Sequence, residues 1–384
     1  MLTPLLSAKG TVLAPILFVQ AQHSRRNLGG PLHTHLSNQG RPFRHPSVMG
    51  SSRVTVSASA TAAGHVPVLR DEAIAALNPR AGGRYIDGTF GGGGHARALL
   101  ATSAPDGVVL AIDADPAAIA RAEELRTEPE IGPRLVPVQR NFANLADVAQ
   151  ERGFPSVDGI LLDLGLSSFQ LDSAERGFAF RFDGPLDMRF DPTRGVSASE
   201  LVNSLPETEL ADLIWRFGEE PGSRRIARAI VRERSNEQIV STTQLASIVE
   251  RALGGRRGRE THPATRTFQA LRIATNDELG SLDAALHAAV NILRPGGRLA
   301  VIAFHSLEDR QVKRFMERES ATCVCPPELP ICMCDHQPRL QRVTRRAVRP
   351  SAGEAAANPR ARSAVLRVAE RLPDPQAVVP GDSA

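Results

Sequence analysis

Tyr85 to His95 reads YIDGTFGGGGH. A short strand-like run, Arg84 to Ile86, meets Asp87. Gly88, Thr89, Phe90 and four consecutive glycines, Gly91 to Gly94, then lead to His95 and an Ala/Leu-rich segment, Ala96 to Leu100. This is the pattern of a buried strand, a tight turn and a helix start. Glycine lets the backbone take positive φ and approach a ligand closely. The helix N-terminus behind the turn offers unpaired N–H groups. A nucleotide-like cofactor is the expected occupant, and a plain tight connection is the alternative.

The next segment favours the ligand. Val108 to Ile112 is a second apolar run that ends in Asp113, 20 residues past Gly93, with Asp115 close behind. A carboxylate at the tip of the second strand is where doubly wound folds bind ribose hydroxyls. Pro116 suits the first position of another helix. The glycines could also satisfy a dinucleotide fingerprint, but Asp87 sits at the strand end beside the loop. Its charge would repel a pyrophosphate and suit the cationic end of S-adenosylmethionine. Leu135 to Val138, Val157 to Leu164 and Arg298 to Phe304 read as further strands. LRPGG, Leu293 to Gly297, reads as a helix stop and turn, and Ser363 to Ala369 as a late edge strand. Alternation of strands with helical patterns makes the class α/β with a mainly parallel sheet.

Longer motifs carry a resemblance. They are HVPVL at His65, YIDGTFGGGGH at Tyr85, AIDADP at Ala111, DGILLDLGLSS at Asp158 and LDSAERGFAF at Leu171. GPLDMR at Gly184, HPATRTFQALRI at His262, AFHSLEDRQVKRFM at Ala303 and NPRARSAVLRVAER at Asn358 continue it. Over roughly His65 to Leu372 the chain resembles the RsmH (MraW) family, the bacterial 16S rRNA cytosine-N4 methyltransferases. The resemblance implies a Rossmann-like class I S-adenosylmethionine-dependent methyltransferase with an inserted helical domain. It implies S-adenosylmethionine as cofactor and N4 of a cytidine in the decoding centre of 16S rRNA as target. Cofactor contacts carried over by motif fall on Gly93, Gly94, His95, Asp113, Phe142, Asp163 and Gln170. The residues themselves had pointed to the glycine loop and Asp113. They left Phe142 between an adenine contact and a core aromatic, and gave no sign of Gln170.

The chemistry is in-line displacement at an activated methyl carbon, so most of the task is alignment. Cytosine N4 is a poor nucleophile because its lone pair is shared with the ring, and an acceptor for its proton would help. Many DNA amino-methyltransferases place an acidic or amide residue before Pro-Pro-aromatic at the end of the fourth strand. Asp163 has that position here, but Leu164, Gly165 and Leu166 follow it. The base-holding residue is therefore unassigned, with Asp163, Ser168, Phe169 and His305 as catalytic candidates. For His305 a structural strand-end role is the rival reading.

The chain divides by pattern into a leader (1–64), a first core part (65–166), a mostly helical substrate insert (167–276), a second core part (277–372) and a tail (373–384). Net charge is +4. Residues 1–70 contain seven basic groups and no acid, so the remainder sums to −3. Phosphate contacts must then come from local patches. Candidates are Arg224, Arg225, Arg228, Arg232 and Arg234; Arg251, Arg256, Arg257 and Arg259; and Arg342, Arg345, Arg346 and Arg349. The partner expected is 16S rRNA or the small ribosomal subunit, with no membrane and a homodimer left open.

Cys323, Cys325, Cys332 and Cys334 form CVC–PPELPI–CMC. C-x-C is a poorer zinc knuckle than C-x₂-C. Free thiols or redox-dependent pairing are expected, structural zinc is the rival, and no metal enters the chemistry. The acid-free leader reads as disordered or as a mis-called start ahead of about Met49, in a cytoplasmic bacterial enzyme. An organellar transit peptide is the alternative.

Overall fold

Seven strands make one sheet among the described residues, which are 67–374 of a computed structural model apart from 257, 259, 260, 327 and 330. The leader (1–64), His65 of the HVPVL motif, Arg257, Arg259 and the tail from 375 onward lie outside the described residues. The strands are β1 (Arg84–Asp87), β2 (Val108–Asp113), β3 (Leu135–Gln139), β4 (Val157–Asp163), β5 (Leu293–Ala303), β6 (Leu340–Arg342) and β7 (Val365–Arg371). Their order is β3-β2-β1-β4-β5-β7-β6. The first five run parallel, and β7 is antiparallel to both β5 and β6. This is a Rossmann-like sheet. The order reverses at β1 and β4, and the glycine turn leaves the carboxyl end of β1. Ligands of open α/β sheets bind at such a switch point.

Alternation along each strand builds two cores, one on each face. Ile86, Leu110, Ile160, Leu162, Leu299 and Val301 face one cluster. Helices α4 (Leu145–Glu151), α11 (Glu278–Ile292) and α12 (Ser306–Glu319) close it. Tyr85, Val109, Ala111, Leu161, Ala300 and Ile302 face the other. It is covered by α1 (Arg70–Leu77), α2 (Gly94–Thr102) and α3 (Pro116–Leu125). Burial on both faces is why these strands read as continuous apolar runs.

Between β4 and α11 the chain forms α5 (Ser168–Asp172), α6 (Ala198–Ser204), α7 (Glu207–Gly218), α8 (Ser223–Arg234), α9 (Thr242–Ala252) and α10 (Thr265–Asn276). The helices from α6 onward pack with the Phe178–Phe190 loop around a third cluster, which includes Leu210, Ile214, Ile226, Ile230, Leu245 and Leu271. Gly222 is the N-cap of α8. Ser241 caps α9 and accepts a hydrogen bond from Gln244 N.

Two local expectations are corrected. LRPGG belongs to β5: Leu293 pairs with Val157 before a register irregularity hands over to Arg298 opposite Gly159. The turn is thus absorbed inside the strand. At Gly297 a Cβ would come within 3.1 Å of the Val157, Asp158 and Arg294 carbonyl oxygens, so the backbones meet too closely for a side chain. Likewise β7 is not at the edge, because β6 pairs along its outer side. Three residues, LQR, carry too little periodicity to announce that strand.

Candidate active site

The turn after β1 is held from three directions. Gly88 N donates to Leu161 O (2.9 Å) and Phe90 N to Ile112 O (3.0 Å), pinning the loop to both neighbouring strands. Arg121 of α3 donates to Gly91 O (3.2 Å). Gly93 has φ +78°, and a Cβ there would meet the Phe90 ring at 2.6 Å. A side chain at this position would be strained by backbone and by space alike. The helix that follows starts at Gly94, with no side chain capping it.

Asp113 closes the other wall. Its Oδ2 accepts from Gly91 N (2.7 Å) and its Oδ1 from Asp115 N (2.8 Å). Burial pushes its carboxyl up to about 6, against the pull of those two amides. Asp115 is buried beside it, caps α3 through Ala117 N (3.0 Å), and receives Gln170 Nε2 (2.9 Å) and Arg176 (2.8 Å) on its other oxygen.

Deeper in, Asp87 is fully buried and does not line the cavity. Its Oδ1 accepts from Thr89 N (3.2 Å), while Oδ2 is buried without a partner. Burial pushes it up to about 6, opposed by His95 and the Thr89 amide. Any influence of Asp87 on a ligand therefore passes through the floor rather than by direct contact. His95 Nε2 lies 3.4 Å from Asp163 Oδ2. Burial opposes the imidazolium, but Asp163 and Asp87 outweigh it and raise the histidine above its ordinary value. Asp163 N donates to Thr89 Oγ1 (2.6 Å), and its Oδ1 is buried and unpartnered.

These residues enclose a cavity of about 440 Å³. Gly93, Gly94, His95, Asp113, Phe142, Asp163 and Gln170 all line it, as do Ser168 and Phe169. His305 does not. Its Nδ1 accepts from Glu308 N (3.4 Å) in a capping box at the start of α12, and Nε2 lies 3.1 Å from Glu308 Oε1. The structural reading of His305 is thus the one its geometry supports.

Gln170 also has a committed amide. Oε1 accepts from Ser167 N (3.0 Å) in the capping box of α5, and Nε2 goes to Asp115. Phe169 stands at the mouth, 39% exposed, with the Arg121 guanidinium 4.1 Å from its ring centroid. Ser168 Oγ accepts from Arg360.

Sequence reasoning missed Glu278, Glu308 and Arg360 in the wall. Glu278 takes both oxygens to Arg272 (2.7 and 2.8 Å), and Glu308 accepts from Phe304 N (2.9 Å). Glu278, His305 and Glu308 sit close enough to share an ion. However, Arg272 already supplies the positive charge there, so the group reads as a paired node. HSLEDR held Glu308 in plain view; Glu278 gave no local signal.

The description "MraW methylase family" fits residues 62–372. The chain belongs to that family. Ribosomal RNA small subunit methyltransferase H of Thermomicrobium roseum is 60% identical over 308 residues, covering 80% of this chain and 94% of that protein. The protein of the same name from Dehalococcoides mccartyi is 52% identical over 312 residues, covering 81% and 87%. That from Syntrophus aciditrophicus is 52% identical over 309 residues, covering 80% and 98%.

As a MraW methylase the protein is a Rossmann-like methyltransferase that uses S-adenosylmethionine. The cavity chemistry fits that donor. Its wall holds Asp113, Asp163, Glu278 and Glu308 together with Arg70, Arg97 and Arg360, and Asp163, whose ion-pair partner is His95, offers a carboxylate to a sulfonium.

Proposed function

We propose that the protein methylates the exocyclic N4 amine of a cytidine in the decoding centre of 16S rRNA, within the small ribosomal subunit. Relatives that share half or more of their residues with this chain along nearly their whole length carry small-subunit rRNA methyltransferase in their names. The observation that carries the amine acceptor is Asp163. Its side chain stands at the carboxyl end of β4 in the cavity wall, 24% exposed, with Oδ2 3.4 Å from His95 Nε2.

S-adenosylmethionine supplies a methyl group already activated by a cationic sulfur. Asp113 accepts the ribose hydroxyls, and the glycine turn from Gly93 to His95 lets the donor lie against the backbone. Phe142 packs on the adenine. Gln170 acts by holding Asp115 and α5 in place, because both ends of its amide are taken. Asp163 accepts a hydrogen of the N4 amine, which raises the amine's nucleophilicity, and takes the proton released after transfer. His95 orients Asp163 from below. Phe169 and Ser168 border the base, and a folded target must flip it outward to reach them.

Arginines outside the cavity favour an RNA substrate. Arg225 lines two neighbouring grooves, one shared with His262 and Arg266, the other with Arg228, Arg232 and Arg251. Around α8 the acidic neighbours form long pairs, as in Arg228–Glu207 (3.6 Å) and Arg251–Glu233 (3.6 Å), which phosphates can replace at little cost.

The test is transfer of labelled methyl groups to small subunits from cells lacking this activity, followed by nucleoside analysis. N4-methylated cytidine is the expected product. Label in protein, in a small amine, or at another position of the RNA overturns the reading.

A further inference from the structure

We propose that Cys323, Cys325, Cys332 and Cys334 hold one structural zinc ion as a tetrathiolate. The four sulfurs lie within 4.8 Å of one another. Cys323–Cys332, Cys332–Cys334 and Cys323–Cys334 are 3.4, 3.6 and 3.7 Å apart. A tetrahedron of ligands about 2.3 Å from a zinc ion has edges of about 3.8 Å, so the sulfurs already outline that shape.

The surroundings need such a crosslink. From Ala321 to Arg339, between α12 and β6, the described residues form no helix or strand and none is buried. Ile331 and Met333 are 73% and 81% exposed. No hydrophobic core gathers this loop, so convergence of four side chains from two C-x-C pairs calls for another cause. A segment too small to bury a core is commonly closed by a metal or disulfides.

Backbone amides also favour thiolates. Val324 N points to Cys334 Sγ (3.5 Å), Cys325 N to Cys323 Sγ (3.4 Å) and Met333 N to Cys325 Sγ (3.4 Å). Donors of this kind stabilise negative sulfur and orient ligands around an ion. His336 is not among the side chains whose ligand atoms gather there, and its Nε2 lies 2.9 Å from Arg318 O. Four protein ligands close the coordination sphere and leave no position for a reacting water, so the ion is structural. None of the four cysteines lines the donor cavity. Each thiol gives up its proton as the ion binds, so occupancy rises with pH. C-x-C is a poor zinc knuckle for one pair by itself, and here two such pairs bring their four sulfurs together.

The full chain, purified without added metal or chelator, should contain about one zinc by elemental analysis. Cobalt substituted for it should show the visible and near-ultraviolet bands of tetrahedral thiolate coordination. Cys323→Ser/Cys332→Ser should lose the metal and keep its affinity for S-adenosylmethionine. Should that variant not fold, a mercurial titration of the native chain reads the same site: zinc should be released as the four thiols react. Metal-free protein with alkylatable thiols, disulfides between these cysteines, iron in place of zinc, or zinc retained by the variant overturns the proposal.

Discussion

Asp113 meets three demands on one side chain. Two backbone amides fix its carboxylate, burial raises its proton affinity, and each oxygen keeps a lone pair for the cavity. Hydrogen bonds to a charged group contribute about 1.5–3 kcal/mol. Asp113→Ala should therefore weaken S-adenosylmethionine binding by about tenfold to a hundredfold, as read by calorimetry; an unchanged Kd refutes the ribose role. The same carboxyl sets a pH dependence. It accepts hydroxyl hydrogens when ionised, so affinity is full above about 6 and falls as pH drops below that value. Asp113→Asn should flatten this fall. If the variant keeps it, the titrating group is Asp87, which burial raises to the same range, and Asp113 is not the group that controls binding.

At the scale of elements, α5 is five residues long and cannot stand by itself. Its stability comes from the Ser167–Gln170 capping box and from the bond of Gln170 to Asp115 at the head of α3. Gln170→Ala should lower stability by about 1–2 kcal/mol, seen as a loss of a few degrees in Tm. It should reduce donor affinity less than Asp113→Ala does; the reverse ranking would make Gln170 a direct contact. This residue also shows what local sequence can and cannot carry. The glycine turn and Asp113 are legible because their roles follow from backbone conformation and strand position. Gln170 joins two elements 55 residues apart, and Glu278 meets the cavity only because α11 packs against α4 and β5. No periodicity encodes such meetings. For His305 the ambiguity was real: a histidine after a buried strand looks the same whether it serves a substrate or, as here, caps the next helix.

Across the whole molecule, charge is divided by region rather than spread. The described body is threaded by exposed ion pairs, yet Arg225, Arg228 and Arg232 stand together on the outer side of α8 while its inner side joins the insert's own hydrophobic cluster. No helix among the described residues is long and apolar enough to cross a membrane. The insert is tied to the sheet by Glu219 at the end of α7, which bonds Ser306 (2.6 Å) and Arg310 (2.9 Å) of α12. A substrate held on α8 would then be linked, through α7, to the helix that follows β5. If the α8 arginines contact phosphates, each contact releases counterions and steepens the salt dependence of binding by about 0.7–0.9 in the log–log slope. Arg225→Ala/Arg228→Ala/Arg232→Ala should then weaken binding to small subunits and lower that slope by about two to three. S-adenosylmethionine affinity should stay the same, because none of the three lines the donor cavity. A variant that binds subunits with the wild-type slope would mean that α8 carries an ordinary solvated face and that the RNA is held elsewhere.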